Sequence, residues 1–293
     1  MTRHQRANFF RGIAFVSPWL AGFFLFTAVP IGLSLYYSFC DYALTSPTRA
    51  PLWIGLENYR QLAQDALFWK SLGNTLYFAA MALPLGLIFA LGLALLLNLN
   101  LKGQVIYRAI IFLPSLVPSV AAAMIWLWMY NGRLGLFNHL LARIGVNGPD
   151  WLGQSLAMPS LALMSLWSVG NTVIIFLAGL QDVPRELLEA AQIDGAGPLR
   201  RIGSVIVPQL GPVIFYNLII GLIGAFSILT VPYIMTEGGP NNATYFYTMF
   251  SYDQAFRYLH MGYASALAWV QLVIIMLLTA VAFWAGRRWL YNG

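Results

Sequence analysis

Residues 72–97 read LGNTLYFAAMALPLGLIFALGLALLL and contain no charged side chain. About 20 consecutive apolar residues are enough to cross the hydrocarbon core of a bilayer as a helix, and this run is longer. Its proline, Pro84, does not contradict a helix, because transmembrane helices tolerate proline where neighbouring groups satisfy the backbone. The run is therefore predicted to span a membrane.

Five further apolar runs have the length of a membrane span. They lie at about residues 12–39, 109–130, 156–180, 213–235 and 263–285. The chain has 293 residues, of which 59% are hydrophobic and 9% charged, whereas a soluble domain carries roughly 25% charged residues. This composition excludes a soluble enzyme and predicts an all-α membrane protein with six transmembrane helices. The first run exceeds the h-region of a cleavable signal peptide, so we expect a retained anchor.

The distribution of basic residues predicts the orientation. Of the 16 Lys and Arg, ten lie in the termini and in the even-numbered connections, together with four acids; the other connections hold six of each sign. The positive-inside rule therefore places both termini and the 181–211 loop in the cytoplasm. The net charge of +6 is explained by this asymmetry, and we expect no nucleic-acid partner.

Several classes of function are excluded by missing residues. No charged residue falls in the middle of a predicted span, so a proton-coupled transporter lacks its relay. The single cysteine, Cys40, excludes a disulfide, and the three histidines lie at span ends, so no metal or catalytic centre is expected. Neither Lys70 nor Lys102 follows the glycines of a phosphate-binding loop. We expect no cofactor in this chain, and ATP-driven work would need a separate subunit.

The 181–211 loop has the pattern of two short helices. Asp182 is expected to cap the first, with Pro184 in its first turn, and Gly195 is expected to end it in a left-handed conformation. Pro198 begins the second helix. From the residues alone, the loop could also be an amphipathic linker on the membrane surface.

The spacing within this loop resembles a known family. Glu189-Ala190-Ala191, three residues, Gly195, nine residues and Val205-Ile206-Val207-Pro208 resemble the EAA loop of membrane subunits of binding-protein-dependent ABC importers. That pattern is E-A-A-x₃-G-x₉-I-x-L-P, so Val205 and Val207 are mild departures. Four other stretches resemble the carbohydrate-uptake branch, which includes maltose and glycerol-phosphate permeases. They are Gly55-Leu56-Glu57-Asn58-Tyr59, Asn74-Thr75, Gly238-Gly239-Pro240 and Met261-Gly262-Tyr263-Ala264-Ser265-Ala266.

The resemblance implies a type I importer transmembrane domain in a bacterial inner membrane. It implies that residues 1–70 form an anchor helix with an external amphipathic segment, that residues 71–286 form the transmembrane domain and that residues 287–293 form a cytoplasmic tail. The implied partners are a second, related permease subunit in a heterodimer, an ABC ATPase dimer that holds ATP and Mg, an external solute-binding protein, a carbohydrate and membrane lipid.

The same resemblance assigns roles within the loop. Glu189 would make the charged contact with the ATPase, Ala190 and Ala191 would allow close approach, and Gly195 would provide the turn. The other residues of the predicted coupling segment are Asp194 and Pro208.

A solute path needs small residues for room and polar or aromatic groups that replace water. The candidates on the last three spans are Trp167, Ser168, Asn171, Asn217, Gly221, Gly224, Ser227 and Gln271. Stacking rings and amides suit a sugar or polyol. The alternative is that the glycines pack helices together and the amides bond between helices.

Two external segments and two other functions complete the expectations. An amphipathic helix is predicted near residues 57–69. Tyr245, Phe246 and Tyr247 of segment 236–262 are expected either at the rim of the binding protein or in an interfacial belt. The alternatives in function are a phosphorylated-polyol importer, disfavoured because no charge lies in a span, and a passive channel or scaffold.

Overall fold

The computed structural model describes residues 3–45, 50–99 and 102–290, and it is mainly helical. Three helices are each long and apolar enough to cross a membrane: Arg11–Ser38, Ala66–Leu97 and Met261–Gly286. Three bent pairs bring the number to six when each pair counts as one span: Gln104–Leu116 with Ser119–Met129, Ala157–Trp167 with Gly170–Gln181, and Pro198–Gln209 with Gly211–Ala225. The predicted helical membrane fold is confirmed.

The elements follow one another with few long connections. In chain order they are α1 (Arg3–Phe23), a π turn (Phe24–Ala28), α2 (Val29–Ser38), β1 (Cys40–Asp41), β2 (Leu52–Trp53), α3 (Glu57–Gln64), α4 (Ala66–Leu97), α5 (Gln104–Phe112), a 3₁₀ turn (Leu113–Leu116), α6 (Ser119–Met129), α7 (Leu136–Arg143), α8 (Ala157–Trp167), α9 (Gly170–Gln181), α10 (Arg185–Ile193), α11 (Pro198–Arg201), a π turn (Ile202–Ile206), α12 (Val207–Gln209), α13 (Gly211–Ala225), α14 (Thr230–Met235), α15 (Tyr247–Tyr252), a π turn (Asp253–Arg257) and α16 (Met261–Leu290). Residues 291–293 of the predicted tail lie outside the described residues.

The chain packs as two compact units. One comprises the residues up to Asp65 and Ser251–Leu272, and the other comprises Ala66–Phe250 and the residues from Val273 onward.

In the larger unit, α4 is the central helix. Ala90 and Ala94 on α4 are fully buried, and they pack with Phe176 of α9 in one apolar cluster. Small side chains let neighbouring helices come close, which is how helices gain contact area in lipid. Gly179 serves the same purpose, because a Cβ there would lie 2.9 Å from the side chains of Leu210 and Val213. These contacts hold α4, α9 and α13 together.

In the smaller unit, two of the sequence motifs hold the chain after α2. The β1–β2 pair is antiparallel, with Cys40 opposite Trp53. The Asn58 amide donates to the carbonyls of Ser38, at 2.9 Å, and Cys40, at 3.0 Å. Gly262 also lies against this part of the chain, because a Cβ there would lie 2.2 Å from the Cys40 carbonyl oxygen. The motifs beginning at Gly55 and Met261 thus pack around one buried turn.

Three predicted boundaries are wrong. The external helix predicted near residues 57–69 ends at Gln64, because Asp65 is extended and a new helix begins at Ala66. Asp182 does not cap the loop helix, because its N–H bonds to the Gly179 carbonyl and it ends α9; the N-cap of α10 is Pro184.

The fifth predicted span, residues 213–235, is not one helix. Helix α13 ends at Ala225, and α14 begins only at Thr230. Between them, the Phe226 carbonyl accepts a short hydrogen bond from the Thr248 hydroxyl, and Ser227 bonds back to Ile223. The Thr248 side chain therefore donates to a backbone carbonyl at the place where the helix is interrupted.

Candidate functional site

The EAA segment forms an exposed helix that ends in a tight turn. Glu189, Ala190 and Ala191 lie in the second half of α10. Gly195 follows with φ +76°, its N–H bonds to the Gln192 carbonyl at 3.0 Å, and the next N–H bonds to the Ala191 carbonyl at 2.9 Å. This pair of bonds is a Schellman motif, which requires a left-handed residue and so favours glycine. The left-handed turn at Gly195 agrees with the sequence analysis.

The two arms of this loop are joined by a side-chain contact. The Arg201 guanidinium donates to the side-chain Oε1 of Gln192 at 3.2 Å, which connects α11 to α10. Glu189 is exposed, and two large apolar side chains near the turn are almost fully exposed: Ile193 at 87% and Leu199 at 83%. Two exposed apolar side chains on either side of one turn favour a contact with another chain.

The second arm continues directly into the body of the fold. After α11 come the π turn and α12, which contains Pro208, and then α13 begins at Gly211 after a bend of 71°. Leu210 at this bend is 1% exposed and belongs to the apolar cluster of α4 and α9. The bend is thus buried in the core, while the loop before it is exposed.

A cavity of about 320 Å³ opens where α4, α8, α9 and α13 meet. Its polar residues are Ser165, Ser168, Thr172 and Asn217. The rest of its wall is made by glycines and apolar residues: Phe78, Ala82, Leu83, Gly86, Leu87, Val169, Gly221, Gly224, Ala225 and Ile228. Hydroxyl, amide, aromatic and glycine surfaces therefore surround one space, and the described residues that line it include no charged side chain.

Two glycines of α13 shape this cavity. Gly221 faces α4, since a Cβ added to it would lie 2.6 Å from Leu83 Cδ2, whereas Gly224 has open space beside it. Asn217 is 7% exposed, and its side-chain N–H donates to the Val213 carbonyl of the same helix at 2.8 Å. Gly221 therefore contributes packing as well as room.

The structure brings together four of the eight predicted path residues, namely Ser168, Asn217, Gly221 and Gly224. The other four do not line the cavity. Trp167 packs edge-on against Trp126, with ring centroids 6.2 Å apart. Asn171 is exposed on α9, Ser227 bonds within its own turn, and Gln271 belongs to the smaller unit.

Sequence reasoning missed the contribution of α4 and of Ser165 and Thr172. Ala82 and Gly86 lie four residues apart on α4, as do Ser168 and Thr172 across the break between α8 and α9. A search for small or hydroxyl residues at spacings of three and four over every span would have found these pairs.

The segment after α14 is part of the fold. The Asn74 amide donates to the carbonyls of Asn242, at 2.7 Å, and Tyr245, at 3.0 Å, and the Thr75 hydroxyl accepts the Tyr247 N–H at 2.9 Å. The Asn74-Thr75 motif thus holds the residues that follow Gly238-Gly239-Pro240.

Tyr245, Phe246 and Tyr247 are buried in the larger unit. Phe246 stacks edge-on against Phe78, with ring centroids 5.3 Å apart. The expectation that these rings face a binding protein or the membrane interface is therefore wrong.

Among the described residues, no three His, Cys, Asp or Glu side chains lie together as metal ligands would.

Residues 82–290 match the protein family described as "Binding-protein-dependent transport system inner membrane component". The chain is 40% identical over 296 aligned positions to the "Probable ABC transporter permease protein YesP" of Bacillus subtilis (strain 168), an alignment that covers 99% of this chain and 94% of that protein. It is 36% identical to the "Sulfoquinovosyl glycerol transport system permease protein SmoG" of Agrobacterium fabrum (strain C58 / ATCC 33970), over 88% of this chain and 84% of that protein.

One solved structure has the same fold. It is a chain of a bacterial alginate ABC transporter in complex with an alginate pentasaccharide-bound periplasmic protein, with a TM-score of 0.83. The match covers 99% of this chain and 98% of that one at 20% sequence identity, so the likeness concerns the fold alone.

Proposed function

Since the chain belongs to the family of binding-protein-dependent transport system inner membrane components, we propose that it is one membrane subunit of an ATP-driven importer that moves a carbohydrate. One observation carries the proposal: a continuous segment joins the exposed loop to the cavity. The loop of α10 and α11 lies at one end of this segment, and the cavity residues Asn217 and Gly221 lie on α13 at the other. A displacement of the loop would therefore move one wall of the cavity.

The loop of α10 and α11 has the features of a docking element for an ATPase. Glu189 offers an exposed charge, and the side chain of Ala190 is small, so that a partner can come close to the helix backbone. Burial of Ile193 and Leu199 against the partner would contribute roughly 1.5–3 kcal/mol per side chain. In this arrangement the ATPase dimer holds ATP and Mg, and this chain contributes no catalytic residue and no cofactor.

Besides the ATPase, the proposed assembly has two further components and a defined orientation. A second, related permease subunit would complete the path, and an external solute-binding protein would deliver the solute. The excess of Lys and Arg on one side supports cytoplasmic termini and a cytoplasmic α10–α11 loop. The loop then faces the compartment in which ATP is available.

The composition of the cavity supports a neutral, hydroxyl-rich solute. Three hydroxyls and one amide can exchange hydrogen bonds with sugar hydroxyls, while Phe78 offers an apolar surface to a sugar ring. A phosphorylated polyol would place an anion beside lining residues that carry no countercharge. The relative named for sulfoquinovosyl glycerol transport also supports a carbohydrate, but a sulfoquinovosyl group is itself anionic. The phosphorylated polyol therefore ranks second on the uncharged cavity lining alone.

The test is ATP hydrolysis by the complete importer in proteoliposomes, with and without solute-loaded binding protein. We expect Glu189→Arg to lower the stimulation at least about tenfold, because a contact to a charged group contributes about 1.5–3 kcal/mol. Glu186→Arg reverses a charge in the same helix outside the EAA segment and should retain most of the stimulation. Solute flux without nucleotide would instead indicate a passive channel, and stimulation only by a phosphorylated polyol would indicate the second candidate.

A further inference from the structure

A second and larger space lies farther along α4: the cavity is lined by α4 residues up to Leu87, and this space by α4 residues from Ile88 onward. We name it the inner groove; it is about 740 Å³ in volume and lies between the last turns of α4 and the α10–α11 loop. Its walls are made mainly by Ile88, Phe89, Leu96, Leu188, Ile202 and Ile206. The lining is apolar apart from Asn98 and Arg201, and Ile88 and Leu96 are 71% and 59% exposed.

The length of the inner groove matches one leaflet of a bilayer. From Ile88 to Leu97, where α4 ends, nine steps of the helix span about 14 Å. Half of the hydrocarbon core of a bilayer is about 15 Å thick. Gly92, near the middle of this stretch, lines the groove and adds no side chain to it.

The inner groove has one basic residue among its described lining residues. Arg201, on α11, lines the groove, and the exposed Arg200 is its neighbour in sequence. A guanidinium has five N–H donors, and the Gln192 side chain accepts from one of its nitrogens. Basic pockets between transmembrane helices on the cytoplasmic side are suited to anionic phospholipid headgroups.

We propose that the inner groove binds an anionic phospholipid of the cytoplasmic leaflet, with an acyl chain along α4 and its phosphate on Arg201. The inference rests on the proposed function, because it takes the α10–α11 loop as cytoplasmic. A helix of a partner protein could fill an apolar groove, but its apolar face would offer no anion to the Arg201 guanidinium that lines the groove. The lipid would contact α4 and both arms of the coupling loop, so it would support the loop in its docked position.

The test uses the complete importer in nanodiscs of phosphatidylcholine that contain a minor fraction of phosphatidylglycerol with a photoactivatable acyl chain. Peptide mass spectrometry then locates the adducts. We expect adducts within residues 88–99 and 198–206, and at least fivefold fewer when the photoactivatable lipid is phosphatidylcholine. This lipid exchange needs no substitution, so it does not depend on the folding of a variant.

Two pairs of variants sharpen the result. Arg201→Gln should lower phosphatidylglycerol labelling at least fivefold, whereas Arg200→Gln, next to it but outside the groove lining, should change it less than twofold. Gly92→Leu should fill the groove and lower labelling at least fivefold. Its control is Gly73→Leu in the same helix; both glycines have open space where the side chain would go.

Three outcomes overturn the inference: no adduct in the groove, equal labelling by the two lipids, or crosslinking of these segments to a partner subunit in place of lipid. ATP hydrolysis measured on the same samples separates this inference from the proposed function. A complex that is stimulated by loaded binding protein but carries no lipid adduct overturns the inference alone. A labelled groove in a complex that is never stimulated overturns the proposed function and leaves the lipid site standing.

Discussion

Replacing Asn74 by alanine is predicted to release the loop that contains Gly238-Gly239-Pro240. The Asn74 amide donates to two carbonyls of this loop, those of Asn242 and Tyr245, at 2.7 and 3.0 Å. Asn74 is 8% exposed, so the variant leaves two carbonyls without their side-chain donor in a buried place. Each lost partner costs about 1–3 kcal/mol, so the local opening free energy should fall by about 2–6 kcal/mol.

Hydrogen exchange of the purified importer in nanodiscs measures this opening. Because each 1.36 kcal/mol corresponds to a factor of ten, exchange in peptides covering residues 238–247 should become at least about 30-fold faster. Peptides from the α4–α9 contact should be unchanged, because Asn74 does not touch that cluster.

The control acts on the same loop from an exposed position. Gln154 accepts a hydrogen bond from the Asn241 side chain at 3.0 Å, and both side chains are exposed. Gln154→Ala should therefore change the opening free energy by less than about 0.5 kcal/mol. Unchanged exchange in Asn74→Ala, or an equal effect of Gln154→Ala, would refute the role assigned to Asn74.

Two glycine substitutions test the other close approaches. Gly262→Ala should lower the thermal stability of the purified chain by about 1–3 kcal/mol, because its Cβ would lie 2.2 Å from the Cys40 carbonyl oxygen. Gly32→Ala should not lower the stability, because a Cβ there would have open space in a helix. Equal melting temperatures of the two variants would contradict this prediction. Gly195→Ala should destabilise the turn by about 1–2 kcal/mol, because the residue has φ +76°, and should reduce ATPase stimulation several-fold. Gly197→Ala, at φ −64°, should leave stimulation unchanged. Equal stimulation in the two variants would show that the turn is not needed.

The spans could be predicted from the sequence, but the breaks within them could not. A run of apolar residues reports that a segment can lie in lipid, and all six predicted runs correspond to helical segments. The 53° bend between Trp167 and Gly170 and the gap after Ala225 occur inside apolar sequence, where hydropathy does not change. Only contacts with other helices, such as the bond from Thr248 to the Phe226 carbonyl, distinguish these places.

The candidate site was predictable to the extent that backbone conformation is local. The turn at Gly195 follows from the need for a left-handed residue, so the sequence carries its own signal. Asp182 was assigned wrongly because an aspartate between two helices can end one or begin the other, and its N–H is used by α9. Asn171 was placed in the path because an amide can bond sugar hydroxyls, but residue type does not show which side of a helix carries it. Ser168, Val169 and Thr172 line the cavity, whereas Asn171 is exposed.

The burial of Tyr245, Phe246 and Tyr247 depends on contacts that are distant in sequence. Tyrosine is favoured both in membrane interfaces and in cores that provide a hydrogen-bond partner, so composition does not separate the two. The deciding contacts come from Asn74 and Thr75, about 170 positions earlier in the chain.

The motifs shared with importer permeases thus divide into two physical classes. Asn58, Asn74 and Gly262 are buried, and each is placed against backbone of another segment. Glu189 and Ala190 are exposed and support no other part of the described chain through a side-chain bond. Substitutions in the first class should therefore lower the amount of folded protein and the coupling in proportion. Substitutions in the second should lower the coupling at a constant amount of folded protein, which is the behaviour of a surface made for a partner.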